Sequence, residues 1–117
     1  MSQLAAFLLT LALEAPAGAL AVRLARSPSK AAWGALAAVV GSTVTHPVVW
    51  WLSTHWAGTG NEWPLRVAVL ELCAATVEAV GYVLLCRLPA LRALAVSAAV
   101  NGFSFAVGLA LAAARAL

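Results

Sequence analysis

The chain has 117 residues, 64% of them hydrophobic and 9% charged, with a net charge of +3 and a mean hydropathy of +0.97. A water-soluble domain carries about 25% charged residues, so this chain has too little polar surface for water and its solvent is lipid. Membrane crossings of ~20 residues use nearly the whole length, which excludes a soluble catalytic or nucleotide-binding domain.

The first predicted helix covers about residues 3–22. Ala17-Gly18-Ala19 resembles a signal-cleavage tripeptide. The segment nevertheless lacks a basic leading stretch, and Glu14 interrupts its apolar run, so it reads as a retained helix. Arg23, Arg26 and Lys30 follow, around a Ser27-Pro28-Ser29 turn. The second helix covers about 31–56, and Gly58-Thr59-Gly60-Asn61-Glu62 is a turn signal closed by Trp63-Pro64. The third covers about 65–86 and ends at Arg87-Leu88-Pro89; the fourth covers about 93–114. The predicted fold is all-α, a single domain of four transmembrane helices in an antiparallel bundle.

Charge placement predicts an orientation. The 1–2 and 3–4 connections hold Arg23, Arg26, Lys30, Arg87 and Arg92, whereas the opposite side holds Arg66 and Arg115. The positive-inside rule then places both termini outside, in a multi-pass protein of a bacterial inner membrane. Trp50, Trp51, Trp56 and Trp63 form an outer aromatic belt, with His55 at headgroup level, and Trp33 marks the inner end. Basic residues confined to helix ends are topology signals, so no nucleic-acid partner is expected. Cys73 and Cys86 would lie ~20 Å apart on one helix and are read as packing residues rather than a disulfide pair.

The informative residues are polar ones in the middle of apolar spans. A carboxylate at the bilayer centre costs ~2.5–3.5 kcal/mol on insertion scales. Counting from the span centres places Glu14, Thr43, Thr45, His46, Glu78, Asn101 and Ser104 within roughly 5 Å of one depth. Glu71 shares a face with Glu78, ~10 Å away. Small and polar residues also form stripes: Glu14, Gly18 and Ala21; Gly34, Ala38, Ser42 and Thr45; Ala75, Glu78 and Tyr82; Ser97, Asn101 and Ser104. Thr10 and Ala17 belong to the first stripe, His46 to the second, Glu71 to the third and Gly108 to the fourth. Such stripes are expected to face inward, because small residues let membrane helices approach and polar ones bond between them.

Three carboxylates lie within the spans, with no Lys or Arg in the middle of any, and His46 is the one candidate cationic partner. Buried carboxylates without a base take up a proton or bind a cation. The candidate ion or substrate site is therefore Glu14, His46, Glu78 and Asn101, with Thr43, Ser104 and Glu71 secondary. If a metal binds, His46, Glu14 and Glu78 are its candidate ligands, although no compact Glu-x-x-His pattern is present. The competing reading is that Glu14 and Glu78 are protonated and bond to Asn101, Ser104 and Thr43 as interhelical glue. Pro16 and Pro47 free the carbonyls of Ala12 and Thr43 beside this layer. Ser104 and His46 do not make a convincing hydrolytic pair, and an enzyme is not the leading expectation.

Glu14-Ala15 precedes Arg23-Leu24 at the interval by which Glu78-Ala79 precedes Arg87-Leu88. Ser42 precedes His46 by the four residues that separate Ser97 from Asn101. These intervals point to two repeated hairpins, against chance similarity in an Ala/Leu-rich chain. The helix count and Glu14 invite comparison with small multidrug resistance transporters, which rest on a single membrane carboxylate; Glu71, Glu78 and His46 depart from that pattern. Glu14-Ala15-Pro16, Thr45-His46-Pro47, Glu71 with Glu78, and Asn101-Gly102-Phe103-Ser104 resemble a group of small bacterial membrane proteins of unassigned function. That group is expected to carry Asn where His46 stands. The resemblance implies a polar membrane core over nearly the whole chain and supplies no activity.

The sequence reading is thus a small cation or proton-coupled transporter with a bound cation as its only candidate cofactor. Its partners would be lipid and a homo-oligomer or larger complex. The alternatives are a non-transporting accessory subunit and a membrane-embedded metal-binding protein.

Overall fold

A computed structural model describes every residue except Ala57, Thr59 and Leu117, so Thr59 of the predicted turn lies outside the described residues. The architecture is four helices: α1 (Gln3–Leu24), α2 (Ala31–His55), α3 (Trp63–Cys86) and α4 (Ala90–Ala116). All four are long and apolar enough to cross a membrane. The bundle is 43 Å along its longest axis, matching a bilayer of ~40–45 Å with its headgroups. This is an all-α, antiparallel membrane bundle.

The helix ends follow local chemistry. Ser2 caps α1 by accepting from the Ala5 amide at 3.2 Å. α3 and α4 begin earlier than the charge pattern predicts, because Pro64 falls in the first turn of α3 and Pro89 immediately precedes α4. Proline fits there, since its missing N–H has no partner in an opening turn. α1 ends in a Schellman motif: Arg26 and Ser27 donate to the carbonyls of Arg23 and Val22, both at 3.0 Å. Arg26 takes the left-handed conformation, φ 56°, and Arg87 does the same after α3, φ 52°.

Neighbours in the chain are neighbours in space, and α4 returns to α1 to close a four-membered ring. α1 and α3 therefore sit on one diagonal, α2 and α4 on the other. Small residues set the α1–α2 crossing. A methyl group added to Gly18 would lie 2.6 Å from the Gly34 carbonyl oxygen, and one added to Gly34 would strike the Gly18 carbonyl in turn. Neither position of this α1–α2 crossing tolerates a side chain. Ser97 Oγ donates to the Ala75 carbonyl at 2.6 Å across α3–α4.

The two ends differ. The basic end holds the 1–2 and 3–4 connections. Its core of Val22, Ala37, Ala79, Tyr82, Cys86, Leu88, Ala93, Val96 and Val100 is closed to solvent. The 1–2 turn is fastened to α3: Ser27 Oγ donates to the Cys86 carbonyl at 2.5 Å and Ser29 Oγ to the Leu85 carbonyl at 3.2 Å. These hydroxyls occupy carbonyls that the end of a helix leaves free. The aromatic end holds the termini and the 2–3 connection. There Arg66 pairs with Glu62 at 2.8 Å and lies over the Trp56 ring, 5.7 Å from its centroid. Cys86 is buried in the core as expected, but Cys73 faces outward and packs against no interior.

Candidate functional site

Between the two ends lies a polar layer to which every helix contributes. Glu14 on α1 is 1% exposed and Glu78 on α3 is 4% exposed. Each is held by one residue from α2 and one from α4. Ser42 Oγ donates to Glu14 Oε2, and Ser104 Oγ donates to Glu14 Oε1 at 2.5 Å. Thr45 Oγ1 donates to Glu78 Oε1, and Asn101 Nδ2 donates to Glu78 Oε2 at 2.6 Å. The Asn101 amide is itself fixed by the Ser97 carbonyl at 2.9 Å. Room for Glu78 comes from Gly41, where an added methyl would lie 2.8 Å from Glu78 Cγ.

Two of the three hydroxyls in this layer have a second choice of partner. Thr45 Oγ1 is 3.1 Å from the Gly41 carbonyl as well as bonded to Glu78. Ser104 Oγ is 3.2 Å from the Asn101 carbonyl as well as bonded to Glu14. A hydroxyl carries one proton and two lone pairs. Facing a carboxylate, it donates to the carboxylate. Facing a neutral carboxyl, it accepts from the acid and turns its own proton to the backbone carbonyl. Both protonation states of Glu14 and Glu78 can thus be satisfied without moving a heavy atom.

The layer is the floor of a cavity of about 380 Å³. The walls rise through Thr10, His46, Trp50, Glu71 and Gly108 to Met1, Ser53, Trp63 and Ala112 at the aromatic end. Glu71 is half-buried on this wall, on the Glu78 face, as the seven-residue spacing predicts. His46 is also on the wall, between Phe7 and Trp50 at ring distances of 5.2 and 6.1 Å. Its Nε2 is buried and without a hydrogen-bond partner, and the ring is bonded to neither carboxylate of the floor. Below the floor, the Tyr82 hydroxyl reaches the Gly18 crossing and is likewise buried without a partner.

The structure therefore brings together Glu14, Glu78, Asn101 and Ser104, with His46 and Glu71 higher on the wall. It does not bring Thr43 to them. Thr43 is exposed and donates to its own helix at the Val39 carbonyl, 2.6 Å away. Its depth is right but its face is wrong; Ser42 and Thr45, on the inward stripe, take the role expected of it. Pro16 and Pro47 also face outward rather than into the cavity. The candidate metal set is not assembled: among the described residues no group of three His, Cys, Asp or Glu side chains is close enough to hold an ion. Gly41 lies outside the predicted set, and no spacing within α2 signals it, because the side chain it accommodates belongs to α3.

Fold and layer together define a small polytopic membrane protein with a carboxylate-floored cavity. No family model matches the chain, and neither a curated protein nor a solved structure matches it.

Proposed function

We propose that this protein is a small cation or proton-coupled transporter, with Glu14 and Glu78 as the loading site and the cavity as its access from the side of the termini. In this reading both termini face outward from a bacterial inner membrane, as the loop charges predict. The carrying observation is that two buried carboxylates from diagonally opposite helices form the cavity floor, each beside a hydroxyl with an alternative carbonyl partner. Such a pair can gain and lose a proton where an apolar bundle could not. Intramembrane ionisable groups on a cavity are the usual mark of an ion or proton path. His46 and Glu71 line the approach, and the Tyr82 hydroxyl is the next polar group beyond the floor. Alternating access would require the basic half to open, which a homo-oligomer or larger complex would assist.

The test is flux of protons or monovalent cations in liposomes containing the purified chain. Wild-type protein is expected to dissipate an imposed gradient, Glu78→Gln and Glu14→Gln to abolish this, and Thr45→Val to slow it. Flux that persists in both glutamine variants would refute the proposal.

A second reading, an accessory subunit whose polar layer serves assembly, is favoured by the complete pairing of both carboxylates. It predicts that Glu78→Gln lowers the yield of a co-purifying complex and that the isolated chain moves no ion.

A further inference from the structure

On the outer face of the bundle, α1 and α4 make the sparsest of the helix contacts that close the ring. Between them runs an apolar groove of about 450 Å³. It is lined by small residues, Ala12, Ala17 and Ala21 on α1 and Ala99 on α4, together with Leu20 and Phe103. The groove follows α1 from Ala12, near the depth of Glu14, to Leu24 at the basic end. That is about 18 Å at 1.5 Å per residue, close to the ~15 Å hydrocarbon depth of a single leaflet.

At Leu24 the groove meets a second depression, lined by Ala25, Arg26, Arg92, Ala95 and Val96. Both arginines are exposed. Neither forms an ion pair among the described residues, and the only acidic residues of the chain, Glu14, Glu62, Glu71 and Glu78, lie at mid-depth or toward the aromatic end. Arg26 is held there by the left-handed turn that ends α1, and Arg92 by the first turn of α4. An acyl-length apolar groove thus ends, at headgroup level, on two uncompensated guanidinium groups.

We propose that this groove is a binding site for one anionic phospholipid, with an acyl chain between α1 and α4 and the headgroup phosphate against Arg26 and Arg92. A guanidinium suits a phosphate because its planar N–H groups match two oxygens at once. Basic pockets between membrane helices recognise anionic headgroups by the same physics. The site is separate from the carboxylate cavity and does not depend on transport.

Native mass spectrometry of the full chain from bilayers of equimolar phosphatidylglycerol and phosphatidylcholine tests this. Wild-type protein is expected to retain phosphatidylglycerol in preference to phosphatidylcholine by at least about fivefold, the order that one interfacial arginine contributes. Combined Arg26→Gly and Arg92→Gln should bring that ratio close to one; glycine suits the left-handed turn, so folding is preserved. Arg23→Gln with Arg87→Gln removes equal charge at the same end and should leave the ratio unchanged. Ala99→Trp should fill the groove and lower retention of both lipids. Equal loss of preference in the two double variants would reduce the effect to diffuse attraction and overturn the proposal. So would a wild-type ratio near one, or a lipid-free dimer in which a second copy occupies the groove.

Discussion

The basic half and the aromatic half of this bundle are made of similar residues and do different things. Below the carboxylate layer the helices meet at Gly18, Gly34, Ala37 and Ala38, and the interior is filled. Above it they diverge around a cavity lined by Thr10, His46, Glu71 and Gly108. Lipid tails are as apolar as Leu or Val, so sequestering apolar side chains cannot bind membrane helices together; close packing and polar contacts must. Both means operate in one molecule, close packing in one half and hydrogen bonds at the boundary, and each half keeps one buried polar atom without a partner among the described residues, Tyr82 Oη in the packed half and His46 Nε2 on the cavity wall.

The largest way to break this contrast is to put volume into the packed half. Gly18→Leu drives a side chain into the Gly34 carbonyl, which is backbone and cannot turn aside. Overpacking costs ~1–3 kcal/mol even where side chains can adjust. We expect Gly18→Leu to abolish the folded monomer on size exclusion in mild detergent. Gly108→Ala, on the cavity wall with no atom within 4 Å of the added methyl, is expected to behave as wild type.

Next in size is loss of a carboxylate, and here the two acids should differ. In Glu14→Ala both orphaned donors are hydroxyls, and Ser104 can turn to the Asn101 carbonyl 3.2 Å away. In Glu78→Ala a buried Asn101 N–H loses its acceptor and the space opposite Gly41 is emptied. Unsatisfied buried donors cost ~1–3 kcal/mol. Glu78→Ala should therefore lower the thermal midpoint more than Glu14→Ala, and Glu78→Gln, which keeps the volume and an acceptor, should lower it least.

That difference separates what was legible in the sequence from what was not. Helix number, the shared depth of Glu14 and Glu78, and the inward stripes follow from hydropathy and from 3.6-residue periodicity, which the backbone obeys whatever the packing. Depth alone favours Thr43, but the rotation of ~100° between successive helical residues sends it outward while Ser42 turns in. In the sequence His46 is the one base near the carboxylates, yet in the structure its ring is bonded to neither Glu14 nor Glu78. Its stacking on Trp50, four residues on along α2, is encoded in the spacing; its contact with Phe7 depends on how the start of α1 lies against α2, which no spacing within either helix encodes. Gly41 makes room for a side chain on another helix, and such a fit exists only after the helices have met.

A smaller effect tests how the packed half is closed at its end. Ser27→Ala removes the hydroxyl that occupies the Cys86 carbonyl at 2.5 Å; Ser29→Ala removes a longer contact at 3.2 Å. Side-chain hydrogen bonds between membrane helices average about 0.6 kcal/mol. Ser27→Ala is expected to lose about that much in a denaturation titration. Ser29→Ala should lose less, and the double variant should expose the basic-end backbone to faster hydrogen exchange than the aromatic end gains.

The most finely balanced effect has the opposite sign. The aromatic end uses glycine where the chain turns left-handed, Gly58 at φ 70° and Gly60 at φ 89°, whereas the basic end uses Arg26 at 56° and Arg87 at 52°. A residue with a Cβ in that region costs roughly 1–2 kcal/mol. An arginine there offsets part of this cost, because it carries positive charge at the C-terminus of a helix, opposite the negative end of its dipole; the proposed orientation gives it a second use as part of the basic bias of that end. Arg87→Gly should recover the conformational cost and lose the dipole contribution of ~0.3–1 kcal/mol. The net expectation lies between no change and a gain of about 1.7 kcal/mol in the unfolding free energy, accompanied by a larger fraction of molecules inserted in the inverted orientation when the accessibility of a cysteine introduced at each end is measured. A stability gain without any change in orientation would mean that Arg23, Arg26, Lys30 and Arg92 alone suffice to orient the bundle.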